Sequence, residues 1–532
     1  MLLLLLLFCS TSSPDAQTIK ENIPPGTLQE RSWWNLLHYE IDITPNSNNK
    51  SIKGSNTITL RALRPGNTIR IDLVNTMKIS SVKWENVELN ADSVANGWLI
   101  HFPRTLNADE TAKIVIQFEG QPTEAVKPPF GQGGWIWTKD KLGRPWYSLA
   151  CEGSGAMVWL PCKNTLYDEP DNGISFSITV PDTLVAVANG RLVKTTRAGQ
   201  VITYVWKLIS PINGYNICPS VGKYVGWHED YKGAKGPLDC DYWVLDYNQP
   251  KAKKHFKAVG SLLACFEKWL GPYPFYEDSY KVIESPMAGM EHQSGIAYGN
   301  GFQDGYSGKN ISGTPWSDRW DFILVHESGH EWFGNSLTSA SYIDGWIHEG
   351  FTKYLEVIYT DEWFGTRAGN EYAAGIAKRI KNDAPVLGGN TSDQYYKSSA
   401  MLHIIRQITG DTIFRKMLHN LQREFYHSTI NTAQVLNSMN KTSGKNFSLL
   451  FRQYLETTQV PVLEYKFEGA GLKYRWSNCI AAFDMPVRIA VNNGTPFLIN
   501  PSTNWKTLTV KNATAHTLTA DPAFYIQIKI AQ

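Results

Sequence analysis

Two imidazoles and two carboxylates are the residues of this 532-residue chain best spaced to do chemistry together. In Asp321-FILVHESGHEWFGN-Ser336, His326 and His330 lie four apart in a helical pattern, so both rings project from one face and can share a tetrahedral metal. Glu327 stands beside the first of them, placed to take a proton from a water without binding the metal itself. Eighteen residues separate His330 from Glu349, which sits where a second helical pattern opens after Asp344. A carboxylate there completes a His-His-Glu donor set with one position open, the pattern of a single catalytic Zn2+ and not of a structural one. The H-E-x-x-H string alone recurs by chance in about one chain in a hundred of this length, so the third donor carries the weight. The competing reading buries three polar groups without partners on a helix otherwise lined by Phe322, Ile323, Val325 and Trp332, which is energetically costly. Glu356, seven residues past Glu349 on the same helical face, can accept from a ligand histidine or form a plain ion pair.

Elements of two kinds must position these residues. From about residue 33 to 220, short runs such as Tyr39-Ile41-Ile43, Ile69-Ile71-Leu73 and Ile114-Ile116-Phe118 alternate apolar and polar positions, with turn signals at Pro65-Gly66 and Asn189-Gly190. That pattern predicts an N-terminal antiparallel β domain. Helical spacing takes over in KAKKHFKAVGSLLACFEKWLG, which ends on Gly271, and dominates to about Thr458. Further helices are expected to open near Ser317-Asp318, after Asp344 and at about Tyr396. Residues 221–458 thus form a mostly helical catalytic domain, and renewed alternation over 459–532 predicts a small C-terminal β-sandwich. The fold class is multi-domain α+β.

Composition narrows the partners. A net charge of +2, with Lys and Arg spread along the chain, gives no footprint for nucleic acid and no polybasic membrane patch. Residues 1–16 open on a short apolar run that turns small and polar, the shape of a secretory signal and too short for a transmembrane span. Export is the expectation, although Met1 leads straight into leucines without a basic n-region. Seven cysteines show neither C-x-x-C pairs nor dense clusters, so one or two disulfides and buried free thiols fit equally well.

Taken in order, the motifs resemble the aminopeptidase N family of gluzincin zinc peptidases, peptidase family M1, over essentially the whole chain after the leader. Gly289-Met290-Glu291 looks like its G-x-M-E-N exopeptidase signature. The zinc segment is followed by Trp332, Gly334 and Asn335, Tyr395-Tyr396-Lys397 is similar to its Y-x-K-G element, and CEGSGAMVWLPCKN places Glu152 where relatives carry an acidic or amide residue. The resemblance implies a thermolysin-like catalytic domain and removal of N-terminal amino acids from peptides with a free N-terminus. It assigns the α-amine to Glu152 and Glu291, the substrate backbone to Gly289 and Met290, and oxyanion stabilisation to Tyr395, with Tyr396 as rival. Asn335 and Glu356 would support the ligands.

Several positions depart from the commonest form: His292 for the Asn of the exopeptidase signature, Ser398 for the Gly after Lys397, and Ala150 and Met157 in the N-terminal stretch. His292 would bring a titratable group to the amine-binding wall. The pattern also reads as a short form lacking the long C-terminal helical domain, with a more open cleft. A thermolysin-type metalloendopeptidase or an epoxide hydrolase would use the same scaffold but ignore a free amine. A non-catalytic peptide-binding surface protein would have lost Glu327 or a ligand, and neither is lost.

Overall fold

Alternation along Trp34–Asn46 and Ser51–Ala62 turns every second side chain to one face, and Ile41, Ile43, Ile58 and Leu60 are accordingly buried. These strands sit in an eight-stranded sheet that, with a four-stranded and a three-stranded sheet, makes the N-terminal third β-rich. The computed structural model describes residues 28–129, 131–469, 471–510 and 517–531, so the proposed leader at 1–16 lies outside the described residues. One pairing differs from the antiparallel expectation: Trp34–Asn46 runs parallel to Ile174–Pro181. More than a hundred residues intervene, ample for the chain to return in the same direction.

Tyr224–Gly233 and Gly236–Leu245 form a hairpin, and its second strand pairs with Tyr280–Glu284 to begin a five-stranded sheet. Its order then runs through Ile296–Tyr298 to Gly289–Met290, which is the edge strand. Helices pack below it. The expected helix in KAKKHFKAVGSLLACFEKWLG is split into Gln249–His255, one 3-10 turn and Val259–Leu270, and stops at Gly271 with φ 98°. The ligand helix opens later than the sequence suggested, at Phe322. Asp321, not Ser317 or Asp318, is its cap, accepting from the Leu324 N–H at 2.9 Å.

Two small C-terminal sheets, of four and three strands, contribute Leu463, Trp476, Val487 and Ile489 to the same apolar core as the helices, so the sandwich is fused to the catalytic body. A second core fills the N-terminal sheets. Cys151, Cys162, Cys218, Cys240, Cys265 and Cys479 are all free thiols. No helix among the described residues is long and apolar enough to cross a membrane.

Candidate metal centre and cleft

Helix Phe322–Gly329 carries His326 and Glu327 and is capped by His330, which still has helical dihedrals. Helix Trp346–Phe364 brings Glu349 across in its first turn. The Nε2 atoms of the two histidines are 3.3 Å apart, and each lies 3.5 Å from Glu349 Oε2. Donors bound at roughly 2.0–2.1 Å in a tetrahedron are separated by about 3.4 Å, so this triangle has the dimensions of a zinc site. The second nitrogens are turned outward: His326 Nδ1 pairs with Glu356 Oε1 at 2.7 Å and His330 Nδ1 with the Phe333 carbonyl at 3.0 Å. Such partners hold the proton on Nδ1 and aim the Nε2 lone pair inward. Glu349 Oε2 is buried and has no hydrogen-bond partner. An orphaned carboxylate oxygen facing two imidazole lone pairs fits a bound cation.

Charge at the site agrees. Burial opposes protonation of His330, yet the neighbouring Glu349 carboxylate lifts its pKa up to about 10. Burial pushes Glu349 upward, but His330 and His326 hold it far below the usual carboxylate range. The cluster is stabilised by positive charge at its centre. Glu327 is pushed up to about 7 by burial, against the pull of His326 and His330.

The triangle opens on a cleft of about 900 Å³ between the β-rich and helical domains, lined among others by Glu152, Gly289, Glu291, Glu327 and Tyr395. Glu291 is buried, and one of its oxygens lies within 4.8 Å of donor atoms of Glu327 and His330. Glu152 comes from the N-terminal domain. Its carboxyl is raised well above the ordinary value by burial and then by the charge of Glu291, so the two acids face the same space. The Tyr395 hydroxyl donates to Glu349 Oε1 at 2.8 Å, with its ring stacked on His326. The Tyr396 ring instead meets the cations of Lys353 and Arg379, each 5.5 Å from its centroid.

A model of the peptidase M1 N-terminal domain matches residues 35–214, and a model of the peptidase family M1 domain matches residues 259–454. The chain belongs to peptidase family M1. Among curated relatives, the mitochondrial aminopeptidase 2 of Saccharomyces cerevisiae is 23% identical over 89% of this chain and 50% of its own length. The puromycin-sensitive aminopeptidase of Caenorhabditis elegans is 20% identical over 80% of this chain and 47% of its own. The chain thus spans about half the length of these relatives. An M1 zinc metallopeptidase from Deinococcus radiodurans, solved with a Tyr-Ser-Ala substrate, aligns at TM-score 0.69 and 21% identity, covering 84% of this chain and 99% of that one. At that identity the likeness is one of fold. His326, His330 and Glu349 are the residues that fit the family's one zinc ion.

Within this M1 scaffold some sequence expectations need correction. His292 brings no charge to the cleft: it is 2% exposed, does not line the cleft, and burial pulls it down to about 3, so it is neutral. The Asn335 side chain makes no hydrogen bond to His326, His330 or Glu349. Its side chain donates to the Glu291 carbonyl at 2.9 Å and accepts from Asn216 at 2.7 Å, while its backbone N–H donates to the His330 carbonyl at 3.0 Å, so it ties the Gly289-Met290-Glu291 segment to the end of the histidine helix. The Ser398 departure is taken up across the helix interface by Gly350, where an added Cβ would meet Ser398 Cβ at 2.5 Å. The alternatives drawn for Glu356 both occur, since Oε1 also accepts from Lys353 at 2.8 Å while Oε2 accepts from Tyr372 at 2.5 Å. Lys353, Tyr372 and Tyr215 were not singled out from sequence. For Lys353 a signal existed, because its spacing of three from Glu356 is that of a helical ion pair.

Proposed function

We propose that this chain is a zinc-dependent aminopeptidase that removes N-terminal residues from peptides. The observation that carries the reading is the pairing of Glu152 and Glu291, one from each domain, in the cleft beside the His326, His330 and Glu349 triangle. A peptide α-amine, with pKa near 8, is largely protonated at neutral pH, and two facing carboxylates select that ammonium over an internal peptide bond. An endopeptidase has no use for them.

His326, His330 and Glu349 would hold the zinc, which would supply Lewis acidity towards a water and the scissile carbonyl. Glu327 accepts the proton released when water attacks that carbonyl carbon and returns it to the leaving amine nitrogen. Tyr395 donates its hydroxyl hydrogen to the oxygen that becomes negative. The Gly289–Met290 edge strand pairs with Ile296–Tyr298 on one side only, leaving its other edge for an extended substrate backbone. The apolar leader supports export, so the substrates we envisage are extracytoplasmic peptides.

The test compares initial rates on one peptide with a free and an acetylated N-terminus, with and without a chelator. Chelator-sensitive cleavage confined to the free form supports the proposal. Equal rates on both forms would point to an endopeptidase and reject it.

A further inference from the structure

Glu291 has a structural difficulty that the metal site creates. A buried carboxylate with an oxygen within 4.8 Å of His330 and Glu327 can swing onto the centre as a fourth ligand, and it then no longer faces an incoming amine. Its neighbours show what prevents this. The backbone carbonyl of Glu291 is fixed by Asn335 at 2.9 Å, and its side-chain Oε1 accepts the hydroxyl of Tyr215 at 2.9 Å.

Tyr215 belongs to the N-terminal domain, lines the cleft and is 2% exposed. Burial, and next the charge of Glu291, hold its hydroxyl far above the ordinary pKa, so it remains a donor throughout the working pH range. Its own backbone is held in turn. The thiols of Cys151 and Cys218 both donate to the Tyr215 carbonyl, each at 3.2 Å. Cys151 immediately precedes Glu152. A continuous chain of contacts therefore runs from one acid to the other: Glu152 by covalent bond to Cys151, Cys151 to the Tyr215 carbonyl, and the Tyr215 hydroxyl to Glu291.

We infer that Tyr215 is a positioning residue for amine recognition, which turns Glu291 away from the metal and fixes its distance from Glu152. The inference rests on the aminopeptidase reading above. The Tyr215 hydroxyl bonds none of His326, His330 and Glu349; it acts through Glu291. Donation to one oxygen leaves the other free for the ammonium, and a hydrogen bond to a charged acceptor is strong enough to hold the rotamer.

The experiment is a double-mutant cycle of Tyr215→Phe and Glu291→Gln, read as kcat and KM on an aminoacyl reporter, with free and acetylated peptides compared for each protein. Tyr215→Phe keeps the ring and its packing, so zinc content stays at that of the wild type. The expected result is a KM raised roughly tenfold with a much smaller change in kcat. In the double variant, Tyr215→Phe should add nothing to the defect of Glu291→Gln, because a residue acting through Glu291 has nothing left to position. A purely structural role would instead lower activity to the same degree in both backgrounds. An unchanged KM in Tyr215→Phe, or additive losses in the double variant, overturns the role of Tyr215 alone. A wild-type protein indifferent to acetylation overturns the aminopeptidase reading and this inference with it.

Discussion

The Tyr395 hydroxyl donates to Glu349 Oε1, the carboxylate oxygen that does not face the histidines, at 2.8 Å. In this arrangement the group proposed to stabilise the oxyanion is stored on a metal ligand. It must pass its hydrogen bond to the substrate oxygen as negative charge develops there, so the interaction belongs to the transition state. Tyr395→Phe should lower kcat by about 10²- to 10³-fold with little change in KM. Zinc content should be retained, because the histidines and Glu349 keep their places. Steady-state kinetics with elemental analysis of the same sample check this, and a kcat near that of the wild type removes Tyr395 from the mechanism.

Gly289 is predicted to be irreplaceable for a steric reason. A Cβ at this position would lie 2.4 Å from Glu327 Oε1 and 2.8 Å from Ile323 Cγ2. The carboxylate is the end of a flexible side chain, so it can give way and the protein folds. Its displacement is nevertheless that of the proposed general base, where an error of about 1 Å costs on the order of 10²-fold in rate. Gly289→Ala should therefore keep its zinc content, unfold at a somewhat lower temperature because Ile323 must also shift, and show kcat reduced to that degree. Full activity would mean that Glu327 works from another rotamer.

Glu356 holds His326, Lys353 and Tyr372 together in the interior. Glu356→Gln should weaken zinc binding roughly 10- to 100-fold, since the imidazole loses its anionic acceptor. It should also lower stability by about 3 kcal/mol, because Lys353 is left as a buried cation without its partner. These losses separate in the double variant: adding Lys353→Met should restore much of the stability while the zinc affinity stays low. Chelator competition and denaturant unfolding measure the two quantities, and recovery of both together would show that Glu356 acts on zinc only through general stability.

What the sequence made legible follows from range. His326, His330 and Glu349 lie on two helices with short spacings, and helical geometry alone brings four-apart histidines together. Tyr215 and Glu291 are 76 residues apart in different domains, and nothing local in either segment announces their contact. Strand alternation revealed the β-rich third but carries no information on direction, so the parallel pairing with Ile174–Pro181 was hidden. His292 follows Glu291 directly, but the strand has ended at Met290 and the chain turns there, so sequence adjacency to a cleft residue does not bring its ring to the cleft. The i,i+3 spacing of Lys353 and Glu356 allows an ion pair but does not show that the fold buries it.

Stability in acid should depend on His403, away from the cleft. Its ring is buried, Nδ1 pairs with the Tyr354 hydroxyl at 3.1 Å, and Nε2 has no partner to receive a second proton. Burial, and next the charge of Arg406, pull its pKa from 6.5 down to about 3. Above about pH 6.5 neither the folded nor the unfolded chain protonates this residue, and its contribution is fully present. As pH falls below that value the unfolded chain takes up a proton that the folded one refuses. Stability is therefore lost progressively until about pH 3, where the folded state titrates too. Glutamine keeps polar capacity at the site without titrating. His403→Gln should thus be less stable than the wild type at pH 7, with a gap that narrows as the pH is lowered to 4. Urea unfolding of both proteins across that range tests the sign, and since loss of zinc acts on both alike, profiles that remain parallel would show that His403 does not set the acid limb.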